Sequence, residues 1–205
     1  MKIESNNEQL ILEAAEAEFL EKGFKNAPTT AIAKRAGVTH AMLHYYFRTK
    51  ENLFQKVFLN KVRLLSESID RYESENLPFE DRIRKMIEAH FDFLRQNPKL
   101  INFIFNEIVN NEDNRRILLD ELRPKLLVIF ERFEKLLIKE VLKGKVKPIK
   151  TIDLLLNILS LNVMTFNVFP IVANMIPAYN SERFDNLLNE RKESIVQFVL
   201  NALRV

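Results

Sequence analysis

The sequence has no cysteine and only three glycines, Gly23, Gly37 and Gly144, in 205 residues. Without cysteine, disulfides and thiolate chemistry are excluded; the chain suits a reducing compartment, and a cytoplasmic location is expected. So few glycines leave little for hairpin turns and nothing for a P-loop or a GxGxxG fingerprint, so with 47% hydrophobic residues an all-α chain is expected. The polar, charged N-terminus shows no signal peptide. Three histidines, His40, His44 and His90, are scant material for a nucleophile relay. Glu107 and His90 have the chemistry of an acid and a base, but buried polar groups in helical cores more often satisfy one another, so no enzyme activity and no cofactor are expected.

Charge is unevenly placed. The net charge is only +3, yet residues 22–63 carry nine basic side chains (Lys22, Lys25, Lys34, Arg35, Arg48, Lys50, Lys56, Lys61 and Arg63) against one acid, Glu51. Residues 64–205 hold 21 of each sign. A basic head on a neutral body points to a polyanionic partner; a solvated lysine surface is the alternative.

Within that head, Thr29 to Lys50 reads TTAIAKRAGVTHAMLHYYFRTK. This is the pattern of two short helices joined by a tight turn and followed at once by a third. Ile32, Ala33 and Ala36 give the first helix a small apolar face. Gly37 stands where a helix end calls for a left-handed residue, Val38 plugs the corner, and Thr39 is a good N-cap. Leu43 and Phe47 give the second helix one buried face. His40, Ala41, Met42, His44, Tyr45 and Tyr46 are left over, a face that a core does not need but a helix in a DNA major groove does. Upstream, a helix from Asn7 to Lys22, capped by Asn6 or Asn7, repeats Ile11, Ala15 and Phe19 before Gly23 ends it and Phe24 folds back. Pro28 is expected in the first turn of the second helix. Downstream, Thr49 caps a fourth helix expected to reach about Tyr72, with Leu53, Val57 and Leu64 or Leu65 on its buried stripe. A lysine at position 50 opposes the helix dipole unless a phosphate docks there. His40 and His44 are spaced as a metal pair needs, but with no cysteine and no carboxylate on that helix no metal site is expected.

Beyond a polar break at Glu73–Leu77, Pro78 opens a helix whose stripe is Ile83, Ile87, Phe91 and Leu94, with Met86, His90 and Phe93 adjoining. Asn97-Pro98 reads as a cap and helix opening before the apolar Leu100–Val109. After a polar loop at Asn110–Asn114, a helical stretch runs from Arg115 to about Leu142, interrupted or restarted at Pro124. It carries Leu126, Phe130, Phe133 and Leu137 and stops at Gly144. Lys143, Lys145, Lys147 and Lys150 form a solvated basic loop. From Leu154 to Ser181 no charge appears, which invites a membrane-spanning reading. Asn157, Ser160, Asn162, Thr165, Asn167, Pro170 and Asn174, spread around the helix, argue instead for burial on both sides, against its own domain and a second copy. Ser181 caps a last helix with an apolar stripe of Phe184, Leu187, Leu188, Ile195, Phe198, Val199 and Leu203. Two such helices per subunit make an isologous four-helix interface.

A helix ending in GF, then TTxIAxxAGV, a short helix ending in YYF, and TKENLF is similar to the DNA-binding domain of the TetR family of bacterial transcriptional regulators. The motif covers roughly residues 7–60. The resemblance implies an all-α fold, with an N-terminal three-helix helix-turn-helix domain (1–50, extending into the fourth helix to about 65) and a C-terminal helical bundle for ligand binding and dimerisation (51–205). It implies a supporting helix at Thr29–Ala36, a recognition helix at Thr39–Tyr45, and DNA contacts from Thr29, Thr30, Lys34, Thr39, His40, Ala41, Met42, His44, Tyr45, Tyr46 and Lys50. Met42 and His44 depart from the family's usual Thr or Ala and Tyr, which bears on the operator rather than on DNA binding. The resemblance further implies a homodimer on a double-stranded operator and a small-molecule effector. His90, Phe91, Phe103, Asn106, Glu107, Phe130, Phe133 and Phe166 are the candidates to line its pocket. A helical small-molecule-binding protein without DNA binding is the alternative.

Overall fold

The helix ends expected at Gly23, Gly37 and Gly144 are found, each glycine with a positive φ. The computed structural model describes residues 2–70, 77–175 and 184–205, and among these every regular element is helical. In chain order they are α1 (Lys2–Lys22), α2 (Thr29–Ala36), α3 (His40–Phe47), α4 (Lys50–Asp70), α5 (Phe79–Gln96), α6 (Leu100–Asn110), α7 (Glu112–Leu142), α8 (Thr151–Met175) and α9 (Phe184–Leu203). The fold is all-α, with a helix-turn-helix at its N-terminal end.

Several boundaries differ from expectation. α1 starts at Lys2, because nothing between Lys2 and Asn7 breaks a helix; Asn6 and Asn7 lie inside it rather than capping it. Pro28 is the N-cap residue of α2, with φ −72° and ψ 142°, and not part of its first turn. Asn97 closes α5 instead of opening α6: its Nδ2 donates to the Phe93 carbonyl at 2.9 Å. α7 runs unbroken through Pro124. The bond lost there and the ring clash cost on the order of 3 kcal/mol, outweighed by the helix's other bonds and the burial of Leu122, Phe133 and Leu137. Tyr72, the expected end of α4, the break at Glu73–Leu77 except Leu77, and the expected cap Ser181 lie outside the described residues.

The contacts divide the chain into two compact units, Met1–Leu65 with Asn102–Glu121, and Ser66–Ile101 with Leu122–Val205. In the first, α1 packs on α2 and α3, and α2 on α3. Ile11, Ala15, Phe19, Ile32, Leu43, Phe47, Leu53 and Val57 are buried, as their spacing predicts. The stripe on α4 continues through Val62, not Leu64 or Leu65, and includes Phe54 and Phe58. A chain of rings ties this core together. Phe19 meets Phe54 edge-on at 5.1 Å, Phe24 meets Phe54 at 4.8 Å, and Phe103 of α6 lies 5.7 Å from Phe54 and 6.1 Å from Phe58.

In the second unit α5 packs on α8 and α9. Ile83, Ile87 and Phe91 join Phe133, Leu137, Leu154, Ile158, Leu188, Ile195, Val196, Val199, Leu200 and Leu203 in one core. Arg84–Glu193 at 2.7 Å, Arg95–Asp185 at 2.7 Å and Lys192–Asp92 at 2.9 Å bridge α5 to α9. Exposed pairs contribute about 0–1 kcal/mol each, so they set register more than stability. The apolar residues of α9 therefore split: Leu188, Ile195, Val199 and Leu203 face their own core, while Phe198 is 64% exposed. The side chain of Phe184 lies outside the described residues.

Phe19 is almost fully buried and meets both Phe24 and Phe54 in the ring chain. Replacing it with alanine removes that packing and leaves a cavity, so Phe19→Ala is expected to cost about 3–5 kcal/mol. Urea unfolding followed by circular dichroism measures this; a loss below about 1 kcal/mol contradicts the core assignment.

Candidate nucleic-acid interface

The site is built on the corner between α2 and α3. Gly37 takes φ 69° and ψ 24°, its N–H reaches the Lys34 carbonyl at 3.2 Å, and the Val38 N–H reaches Ala33 at 3.1 Å. No atom lies within 4 Å of where a Cβ would sit, so the demand for glycine is conformational and not steric. Thr39 then caps α3, its Oγ1 accepting from the Met42 N–H at 3.2 Å. The threonine O–H is left available to donate to an anion.

Leu43 and Phe47 face inward, and His40, Ala41, His44 and Tyr45 outward; Tyr45 is 71% exposed. Met42 and Tyr46 are half-buried, and the two tyrosine rings meet edge-on at 5.4 Å. Thr30 and Lys34 are exposed on α2, and Thr29 is half-buried. One link was not legible in the sequence: His40 Nε2 and Thr29 Oγ1 lie 3.0 Å apart and tie the first residue of α3 to the first of α2. Lys50 does not hang free. Its Nζ donates to the Lys25 carbonyl at 3.5 Å and sits 4.6 Å from the centre of the Phe24 ring. Thr49 Oγ1 accepts from the Asn52 N–H at 3.1 Å, the expected cap.

Between α3 and α4 lies Arg48, with φ 64° and ψ −57°. It is the sole non-glycine residue of positive φ among those described. The Thr49 N–H reaches back to the Phe47 carbonyl at 2.6 Å, which makes this a γ-turn, a strained conformation for a residue with a Cβ. Such backbone costs on the order of 1–3 kcal/mol.

Acids from outside the basic window reduce its charge. Lys22 pairs with Glu18 at 2.6 Å, Arg35 with Glu21 at 3.2 Å and Glu18 at 3.4 Å, Lys61 with Glu16 at 2.5 Å, and Arg63 with Glu121 at 3.7 Å. Among the described residues, Lys25, Lys34, Arg48 and Lys56 have no such pair.

A short recognition helix capped by threonine, a left-handed glycine corner and unpaired cations suit a DNA groove. The model of the tetR family of bacterial regulatory proteins matches residues 11–57. That segment, residues 11–57, is of the TetR family. Curated relatives agree. The HTH-type transcriptional regulator YdgC of Bacillus subtilis is 35% identical over 104 residues, covering 47% of this chain and 52% of that protein. YhgD of the same organism, also an HTH-type regulator, is 29% identical over 102 residues, covering 50% and 53%. The match thus spans about half the length of these relatives. The nucleoid occlusion factor SlmA of Vibrio cholerae is 27% identical over 161 residues, covering 78% and 79%. The TetR family regulator PfmR of Thermus thermophilus shares the fold along the chain, with a TM-score of 0.65 at 20% identity over 91% of this chain and 97% of that one.

The candidate pocket residues fall in both units. In the first unit Phe103 packs on Phe54 and Phe58, Asn106 is exposed, and half-buried Glu107 accepts from Asn114 Nδ2 at 3.3 Å. Burial raises the Glu107 carboxyl above its usual range, and the Asn114 bond partly offsets this. In the second unit Phe91 meets Phe166 at 4.9 Å, and Phe133 stacks on Phe79. Phe130 alone of the eight lines an open groove of about 610 Å³, with Leu137, Ile138, Val141, Ile149 and Ile152. His90 is buried against Asn162, whose Nδ2 lies 3.0 Å from His90 Nδ1 and donates to the Ile87 carbonyl at 3.1 Å. Asn162 Oδ1 is buried without a hydrogen-bond partner among the described residues.

Burial lowers His90 from 6.5 to about 4, because an imidazolium there loses its hydration. The unfolded chain takes up the proton first. The stability contributed by neutral His90 is therefore complete above about pH 6.5 and is lost as pH falls toward 4, about 3 kcal/mol in all. Between pH 7 and 4.5 the wild type is expected to lose about 2–3 kcal/mol more than His90→Gln in urea unfolding; equal losses would contradict a buried neutral imidazole.

Proposed function

We propose that this chain is a ligand-responsive, DNA-binding transcriptional regulator. It acts in the cytoplasm as a homodimer, most simply as a repressor that sits on a palindromic operator and leaves when a small-molecule effector binds. The observation that carries this reading is α3, an eight-residue helix anchored by Leu43 and Phe47 that leaves His40, Ala41, His44 and Tyr45 outward. Thr39, Lys34, Thr30 and Lys50 supply phosphate contacts around that face, and Tyr45, Met42 and His44 meet base edges and sugars. Thr29 acts through its bond to His40, and Tyr46 through its packing on Tyr45.

Support for the homodimer comes from α8. Residues Thr151–Val172 are long and apolar enough to cross a membrane by length and composition. The helix instead docks on α5 through Asn162 and turns Ile152, Leu156, Leu159, Met164, Val168 and Ile171 outward. The helix it docks on, α5, carries Arg82, Arg84, Lys85, Glu88, Asp92 and Arg95, charges a bilayer would not accommodate, so a second copy is the better cover for that face. An effector with a hydrogen-bond donor would satisfy Asn162 Oδ1 near Phe91 and Phe166. Its binding alters DNA affinity only to the extent that it favours one conformation.

Lys50→Ala should weaken binding to every sequence and lower the salt slope of log K by about one per protomer, about two for the dimer, whereas Tyr45→Ala should change sequence preference. Gel-shift titrations on DNA from upstream of the gene test both; if neither variant differs from wild type, the interface is misassigned. Leu156→Glu places a charge in the self-association face, and sedimentation should then find monomer where the wild type is dimer. A wild type that stays monomeric at all concentrations removes the homodimer.

A further inference from the structure

We infer that Arg48 is a DNA-phosphate contact and that the strained γ-turn exists to present it; this rests on the DNA-binding reading above. Arg48 lies directly between α3 and the Thr49 cap of α4. Its backbone is pinned on both sides, by its own N–H on the His44 carbonyl at 2.9 Å and by the Thr49 N–H on Phe47 at 2.6 Å. Glycine would adopt φ 64° without a Cβ to oppose it. An arginine there burdens the fold and returns nothing to it. The side chain is exposed and has no ion pair or hydrogen bond among the described residues. Four other cations of the head are taken by carboxylates, and Lys50 is partly committed to Phe24 and the Lys25 carbonyl. Strain kept without internal compensation marks a position held for an external partner. A guanidinium, with its planar fork of donors, suits a phosphate better than any neutral group.

The test measures affinity for a short random-sequence duplex across about 50–200 mM salt, for the wild type, Arg48→Ala, Arg48→Gly and Arg48→Lys. One phosphate contact is lost from each protomer, two per dimer, which lowers the salt slope by about 1.8 and weakens binding about sixtyfold at 0.1 M salt. Both neutral variants should show this, and Arg48→Lys should restore the slope. Arg48→Gly should also melt about 2–4 °C above wild type, since the turn is relieved, so weaker binding by that variant cannot come from misfolding. A neutral variant that keeps the wild-type slope overturns the assignment of Arg48. A wild type that fails to bind any duplex overturns the DNA-binding reading itself, and the contact with it.

Discussion

An eight-residue helix cannot hold itself together in water, since isolated helices shorter than about 12–15 residues are marginal. α3 therefore exists only because Leu43 and Phe47 are clamped into a core made by other elements. In the same unit Phe19, Phe24, Phe54, Phe58 and Phe103 form a connected set of ring contacts. With the helix secured by two side chains, the others need no internal role. That is why four of its eight residues can point outward without a stability penalty, and why the corner at Gly37 and the cap at Thr39 carry so much of the geometry.

The same economy governs charge. Basic composition alone overstates what a polyanion would meet, because Glu16, Glu18, Glu21 and Glu121 take up Lys61, Lys22, Arg35 and Arg63. Arg35–Glu21 and Arg63–Glu121, which are partly exposed, add little stability; the common effect of the four pairs is to decide which cations stay unpaired. Lys25, Lys34, Arg48 and Lys56 do, and Lys50 is held ready against a ring and a carbonyl. With a screening length of about 10 Å at 0.1 M salt, a polyanion responds to these nearby charges and not to the sum over the chain.

What was legible in the sequence was local. Gly37, Thr39, Thr49, Leu43 and Phe47 act through the residues beside them, and their spacing alone predicts their roles. The Thr29–His40 bond spans eleven positions, and the turn at Arg48 uses a residue type that carries no turn signal, so neither could be read from spacing. Pro124 misled for the opposite reason: a strong local breaker was overruled by burial along α7. The pocket candidates were the least legible, because phenyl rings that fill a core and rings that line a cavity have the same composition and period. Phe103 meets Phe58 and Phe133 meets Phe79, contacts that suit either role, and the polar irregularity of the second unit sits at Asn162, which apolar periodicity does not flag.

The uncharged segment shows how burial and association divide one helix. α8 turns Leu154, Ile158, Asn162 and Thr165 toward its own unit, and away from it a largely apolar row from Ile152 to Ile171 that also includes Asp153, Asn157 and Ser160 near its start. α9 does the reverse, since its apolar stripe is consumed internally and its outer face is polar except around Phe198. Two equal helices meeting two equal helices is therefore too symmetrical a picture of the proposed dimer. α8 supplies most of the apolar area, and α9 contributes chiefly Phe198 while its outward polar residues form a rim. Interfaces of this kind have a dry centre and a polar margin. A charge on α8 should thus matter far more to assembly than one on the outer face of α9, although both helices lie near the same end of the chain.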